Sequence, residues 1–258
     1  MFFEISKDVF DKIPSFVCGV VAVRGIDNSR EVPAIREMLE KYAGECKAYF
    51  DASGNKAKDD PCVAPYREVF KEIGINPNRY ACAIEALMDR IAKGKGMPSI
   101  NPAVDLGNAI SLKYRIPIGA HDMNTFLPPE GERRGSGDSG IIVRASEERD
   151  HFLPFGAPAG EFDDPEDGEI VYASANEIRT RRWIWRQSEV GKMTENTTAV
   201  FYPIDGLVGV NEENIKEAIE EFKGLLAEFF GGSANFCVQS GMVDRDNPRI
   251  EFWGDIGA

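Results

Sequence analysis

Pro98-Ser-Ile-Asn101-Pro-Ala-Val-Asp105-Leu-Gly-Asn108-Ala-Ile-Ser111-Leu-Lys-Tyr-Arg-Ile-Pro117-Ile-Gly119-Ala-His121-Asp122 is the most informative stretch of the chain. Pro102 suits the first turn of a helix, which the sequence predicts over 102–114. Pro117 prevents its continuation. Asn101, Asp105 and Asn108 stand at i, i+4 and i+7, so they share one face, polar among small apolar neighbours. Two readings fit that face. It is a satisfied hydrogen-bond network that fixes the following loop, or it is one wall of a polar pocket.

A second informative segment lies further on: Arg179-Thr-Arg181-Arg182-Trp183-Ile-Trp185-Arg186-Gln187. Read as part of a strand over Ile178–Arg186, it alternates. Arg181, Trp183 and Trp185 fall on one face; Arg182, Ile184 and Arg186 fall on the other. Arginines beside indole rings can grip a phosphate or carboxylate and stack a base. The competing reading buries the tryptophans in a core and pairs the arginines with surface carboxylates.

Around these segments, the valine-rich run 16–24 reads as a buried strand. Helices are expected over Pro33–Tyr42, from Asp60-Pro61 to Ile73, over 79–93, and over Asn211–Phe230 with Asn211 as its cap. Further strands are expected at Ile141–Arg144, Glu169–Ala173, Thr197–Tyr202 and Arg249–Trp253, with exposed loops at 128–140 and 161–167. Helices, then strands, then a helix, without strict alternation, indicate an α+β fold in a single domain. The expected organisation is a core over about 80–205, a helical N-terminal portion over 1–79, and a C-terminal helix and strand over 206–258.

The 258 residues are 43% hydrophobic and 28% charged, as in ordinary globular proteins. A net charge of −13 repels phosphate chains at long range, so broad nonspecific nucleic-acid binding is not expected. Five scattered cysteines without CxxC spacing indicate neither a zinc site nor a disulfide framework. They fit a reducing compartment. The N-terminus has no signal-peptide pattern and no apolar run is long enough to span a bilayer, so the cytoplasm is the expected location.

The remaining motifs are weak. Gly137-Asp138-Ser139-Gly140 resembles a serine-protease nucleophile segment, but the chain has only His121 and His151 to serve it. Lys93-Gly94-Lys95-Gly96 lacks the ending of a phosphate loop and reads as a helix stop. Asp51, Ser53 and Asn55 lack the glycine and glutamate of a calcium loop. No metal or cofactor is expected.

The stretch from Asn101 to Asp122 resembles the signature of the B3/B4 domain of the phenylalanyl-tRNA synthetase β subunit. The matching residues are Asn101, Val104, Asp105, Asn108, Ser111, Leu112, Pro117 and Asp122. Gly140-Ile-Ile-Val-Arg144-Ala145, Gly168 to Ala173 and Thr194 to Thr197 match as well, and the arginine–tryptophan segment is more similar to free-standing members. In the synthetase this domain hydrolyses tyrosine wrongly attached to the phenylalanine tRNA. The resemblance therefore implies a protein that binds the aminoacyl-tRNA acceptor end and edits mischarged tRNA in trans, without ligase activity of its own. The departures are two. The family's histidine after Pro-Leu is replaced by Gly119, with His121 two residues later, and its editing glutamate falls near Tyr202 or Pro203. His121 and Asp122 are then the candidate catalytic pair. Asn101, Asp105, Asn108, Gly119, Arg182, Trp183, Trp185, Arg186, Thr194 and Thr197 are the candidate binding residues. The lost groups leave an alternative, a noncatalytic module for a small amino-acid-like ligand.

Overall fold

The computed structural model describes residues 1–128 and 139–253. Among them the chain runs β1 (Phe2–Ile5), α1 (Lys7–Lys12), β2 (Phe16–Arg24), α2 (Pro33–Ser53), α3 (Ala64–Glu72), α4 (Ala83–Ala92) and α5 (Pro102–Tyr114). It continues through β3 (His121–Asp122), β4 (Gly140–Ala145), β5 (Ile170–Ser174), β6 (Glu177–Arg181), β7 (Arg186–Gln187), β8 (Ala199–Leu207), α6 (Glu212–Phe230), β9 (Cys237–Val243) and β10 (Arg249–Glu251). The fold is α+β, as the element order indicated.

Two sheets face each other. One has the order β3-β8-β2-β9 and the other β10-β1-β4-β5-β6-β7. Strand β2 lies between β8 and β9, antiparallel to both, and all of it except Arg24 is buried. A strand covered on both faces has no polar side to show, which is why its sequence is an unbroken apolar run. Val17, Val21 and Val23 turn to one side, into a core shared with Leu106 and Ile110 of α5 and Ile215 and Phe222 of α6. Cys18, Val20 and Ala22 turn to the other, toward Phe3, Ile141 and Tyr172 of the second sheet and the helices α2 to α4. The layers are thus α5 and α6, a four-stranded sheet, then a six-stranded sheet. A Cβ on Gly19 or Gly206 would lie 2.4 or 2.1 Å from the Ile215 side chain, so glycine is what lets α6 lie close on β2 and β8.

Several expectations are corrected. The strand expected over Ile178–Arg186 ends at Arg181. A turn follows, with Arg182 and Trp183 both in the left-handed region at φ 47° and 60°, and the chain returns as β7 beside β6. The alternation of arginines and tryptophans across two faces therefore does not exist. Helix α2 runs to Ser53, past its expected end at Tyr42. Helix α3 starts at Ala64, because the Asp60 carboxylate accepts from Cys62 N (2.9 Å) and holds a turn there. Helix α4 starts at Ala83, which leaves Tyr80 in the preceding turn. Asn211 stands at the start of α6 without capping it. Its side chain accepts from Leu207 N (2.9 Å) and donates to the Tyr66 hydroxyl (2.6 Å). The N-terminal portion supplies β1 besides the expected strand β2, and the C-terminal portion adds β9 besides the expected final strand, β10. Most of the loop expected at 128–140 lies outside the described residues; of the Gly137–Gly140 motif, Ser139 and Gly140 are described, and Gly140 opens β4.

Candidate functional site

The open end of the space between the sheets is a cavity of about 420 Å³. The segment 117–121 forms one side. It runs against β8, with Gly119 N donating to Pro203 O (3.0 Å) and Asp205 N to Pro117 O (3.0 Å). Helix α5 contributes Val104 and Asn108, α4 contributes Leu87 and Arg90, and the β6–β7 turn contributes Trp183 to Arg186. The two segments singled out in the sequence therefore meet in one cavity.

Six of the twelve candidate residues line it: Asn108, Gly119, His121, Trp183, Trp185 and Arg186. Asn108 makes no side-chain hydrogen bond among the described residues, and it lines the space. A Cβ at Gly119 would stand 3.0 Å from Pro203 Cγ and 3.3 Å from His121 Nε2, so this position admits no side chain without movement. His121 is 3% exposed and stacks on Tyr172 and Phe201. Burial, aided by the Arg179 cation, pushes its pKa down to about 3. It is a neutral hydrogen-bonding group at physiological pH, with little capacity as a base.

Trp183 is fully buried, packed edge-on against Phe16 and against Tyr66 and Phe70. It serves as the floor. Trp185 stands edge-on to Tyr80, with Arg182 and Arg186 over its ring. Arg186 and Arg90 are both exposed and have no ion-pair partner among the described residues. Their nearest engagements are main-chain carbonyls, Phe155 O at 3.5 Å and Gly96 O at 2.9 Å. In a chain of net charge −13, two unneutralised guanidinium groups at one opening make a local anion-attracting rim.

The other six stand elsewhere. Asn101 caps α5, accepting from Val104 N (3.1 Å). Asp105 accepts from Ile100 N (2.8 Å) and the Ser99 hydroxyl. Both face a neighbouring groove that also holds Thr194, so the expected polar face of α5 is split: Asn101 and Asp105 fix the preceding loop and only Asn108 reaches the cavity. Asp122 does not line the cavity. Its carboxylate takes the Thr197 hydroxyl (2.7 Å) and Asn124 N (2.9 Å), and Thr197 in turn accepts from Thr194 N (3.0 Å). These bonds build the local turns, and the one between Asp122 and Thr197 is buried. Arg182 lines a neighbouring groove, over Tyr80 and within 3.5 Å of Glu169. Arg179 and Arg181 are buried in ion pairs with Glu177 and Glu169, as the structural reading of the arginines had it.

Asp205 is the lining residue that the sequence reading missed. It is 3% exposed, accepts from the Tyr172 hydroxyl, and has the Trp183 indole N–H beside it, short of hydrogen-bond geometry. Burial pushes its pKa up to about 7 against the opposing pull of those two donors. Asp205 stands two residues beyond Pro203, near which spacing places the family's glutamate. Tyr202 points to the α5 side, donating to Ala103 O (3.1 Å). Two-residue alternation from Phe201 through Pro203 to Asp205, the one acid in an apolar strand, is the signal that would have found it.

A family model described as the B3/4 domain matches residues 65–231. Among solved structures, an N-terminal fragment of the phenylalanyl-tRNA synthetase beta-subunit from Pyrococcus horikoshii superposes with a TM-score of 0.47 at 14% identity. The match covers 96% of this chain and 53% of that one, so the chain spans about half of that fragment's length. No curated protein matches. Among the described residues, no helix is long and apolar enough to cross a membrane.

Proposed function

The chain belongs to the B3/4 domain family, and from that premise we propose that its cavity receives the aminoacylated 3′ end of a tRNA and that the protein hydrolyses a mischarged ester there in trans. The observation that carries this reading is the pairing of an apolar cavity of about 420 Å³ with an opening lined by two arginines that have no acidic partner among the described residues. An aminoacyl side chain is met by Leu87, Val104 and Trp183, and the phosphodiester of the terminal nucleotide by Arg90 and Arg186. Such a grip confines the contact to one end of the RNA, which is what a net charge of −13 permits.

Hydrolysis in this arrangement rests on positioning. Asn108 offers an amide donor to the oxyanion that develops at the ester carbonyl, and neutral His121 orients water. The ribose hydroxyl of the substrate assists proton transfer. With Asp122 committed to Thr197 and Asn124, it takes no part.

Incubation with a panel of correctly and wrongly charged tRNAs tests this. At least one mischarged species loses its amino acid faster than in the blank, and Arg90→Glu with Arg186→Glu lowers kcat/KM about tenfold or more. Blank-level rates across the whole panel would rule out the hydrolase.

A second reading has one observation of its own: the expected acid–base pair is otherwise engaged, His121 held neutral and Asp122 hydrogen-bonded away from the cavity. The protein is then a binding module for an amino-acid-like ligand. It is stabilised against heat by free amino acids or aminoacyl-adenosine analogues while every charged tRNA stays intact; no thermal shift with any of them disposes of it.

A further inference from the structure

The cavity is polarised. Its cations, Arg90 and Arg186, are exposed, whereas its one carboxyl, Asp205, is buried. Among the described residues no lysine or arginine pairs with Asp205. One of its oxygens takes the Tyr172 hydroxyl; the other accepts no hydrogen bond among the described residues, and Asp205 lines the cavity. Around it are a buried indole N–H without a partner and the rings of Tyr172 and Trp183. Buried carboxylates are ordinarily paired or protonated, because an isolated charge out of water is costly. Here two neutral donors adjoin the group, and the cavity lies on its remaining side.

Resting on the aminoacyl reading above, we infer that Asp205 is the receptor for a protonated primary amine of the ligand, so that the cavity selects an aminoacyl group bearing a free ammonium over one in which the amine is blocked. An ammonium both donates to the open oxygen and cancels the charge. A hydroxyl would do only the first. An anion at the rim and an ammonium at Asp205 then give the ligand a fixed direction. The ammonium has two sources, the α-amine common to all aminoacyl esters or the side chain of a basic amino acid.

Three stable amide-linked 3′-aminoacyl analogues of adenosine 5′-monophosphate separate these on the full chain: phenylalanyl (α-amine only), Nα-acetyl-lysyl (side-chain amine only) and N-acetyl-phenylalanyl (neither). Calorimetry is expected to find the N-acetyl-phenylalanyl analogue weaker than the better amine-bearing one by about thirtyfold, the low end for removing one partner of a buried charge pair. Asp205→Asn removes most of that difference. Tight phenylalanyl binding identifies the α-amine; tight Nα-acetyl-lysyl binding identifies the side chain. If the N-acetyl-phenylalanyl analogue binds within about threefold of both others, the inference is overturned and the aminoacyl reading stands. If none of the three binds, both fall. The comparison among ligands on the unmodified chain decides even where Asp205→Asn does not fold.

Discussion

Gly191 and Arg179 depend on each other at the level of single atoms. Gly191 sits at φ 75°, and a Cβ there would lie 2.1 Å from Arg179 Nη1. Arg179 cannot give way, because its guanidinium is buried and donates to Thr125 Oγ1 (3.1 Å), Thr125 O (2.8 Å) and Glu177 (2.8 Å). The Gly191 carbonyl in turn accepts from Asp122 N (3.1 Å). Gly191→Ala therefore combines left-handed strain with a clash and is expected to cost about 2 kcal/mol or more in urea denaturation. A loss within about 0.5 kcal/mol of wild type would contradict the close packing. At this scale the sequence offered identities without environments. His121 stood out as one of two histidines, but its neutrality comes from burial and from a guanidinium on β6. Nothing in the local sequence foretells a cation contributed from so far along the chain.

Elements whose pattern reports only their own burial were legible. Helix α5 and strand β2 have the bounds that Pro102, Pro117 and the valine run imply. Elements defined by their neighbours were not. Strand β9 has mostly half-buried, mixed side chains, and β1 has four residues, so neither shows a periodicity. The β6–β7 turn was misread because its left-handed positions carry arginine and tryptophan where glycine or asparagine ordinarily signals the reversal. Contacts outside the hairpin hold it: Trp183 N donates to Ile170 O (2.6 Å), Arg182 N to a Glu169 oxygen (3.0 Å), and Ala83 N to Ile184 O (2.9 Å). The buried Trp183 ring is the main offset to two strained residues. Trp183→Ala is expected to cost about 3–5 kcal/mol and to disorder the turn, removing Trp185 and Arg186 from the cavity rim. Hydrogen exchange at Arg186 and Gln187 that stays as slow as in wild type would show that the turn is held without the ring.

At the scale of the whole molecule the cavity draws on α4, α5, the 117–121 segment, β5, the β6–β7 turn and β8, and two of its buried ionisable groups, His121 and Asp205, act on stability in opposite senses. Histidine 121 has a folded pKa of about 3, below its ordinary value near 6.5, so its stabilisation is present above pH ~6.5 and is lost as pH falls. Asp205 has a folded pKa of about 7, above the ordinary value near 3.9. Its stabilisation is complete below pH ~4 and is lost as pH rises toward 7. The groups facing Asp205 are Tyr172 from β5, Cys18 from β2 and, at its main-chain carbonyl, Tyr66 from α3. All three have pKa values raised by burial and stay protonated in this range. Between about pH 4 and 6.5 the two contributions therefore run against each other and nearly cancel. Asp205→Asn removes one of them. Relative to wild type, its unfolding free energy is expected to rise by roughly 2–3 kcal/mol between pH 4.5 and 6.5, at 1.36 kcal/mol per proton per pH unit. Urea titrations of both proteins at the two pH values measure this directly. A difference between them that stays constant with pH would mean that Asp205 is ionised in the folded protein throughout, and the cavity would then already hold the counter-charge assigned to its ligand.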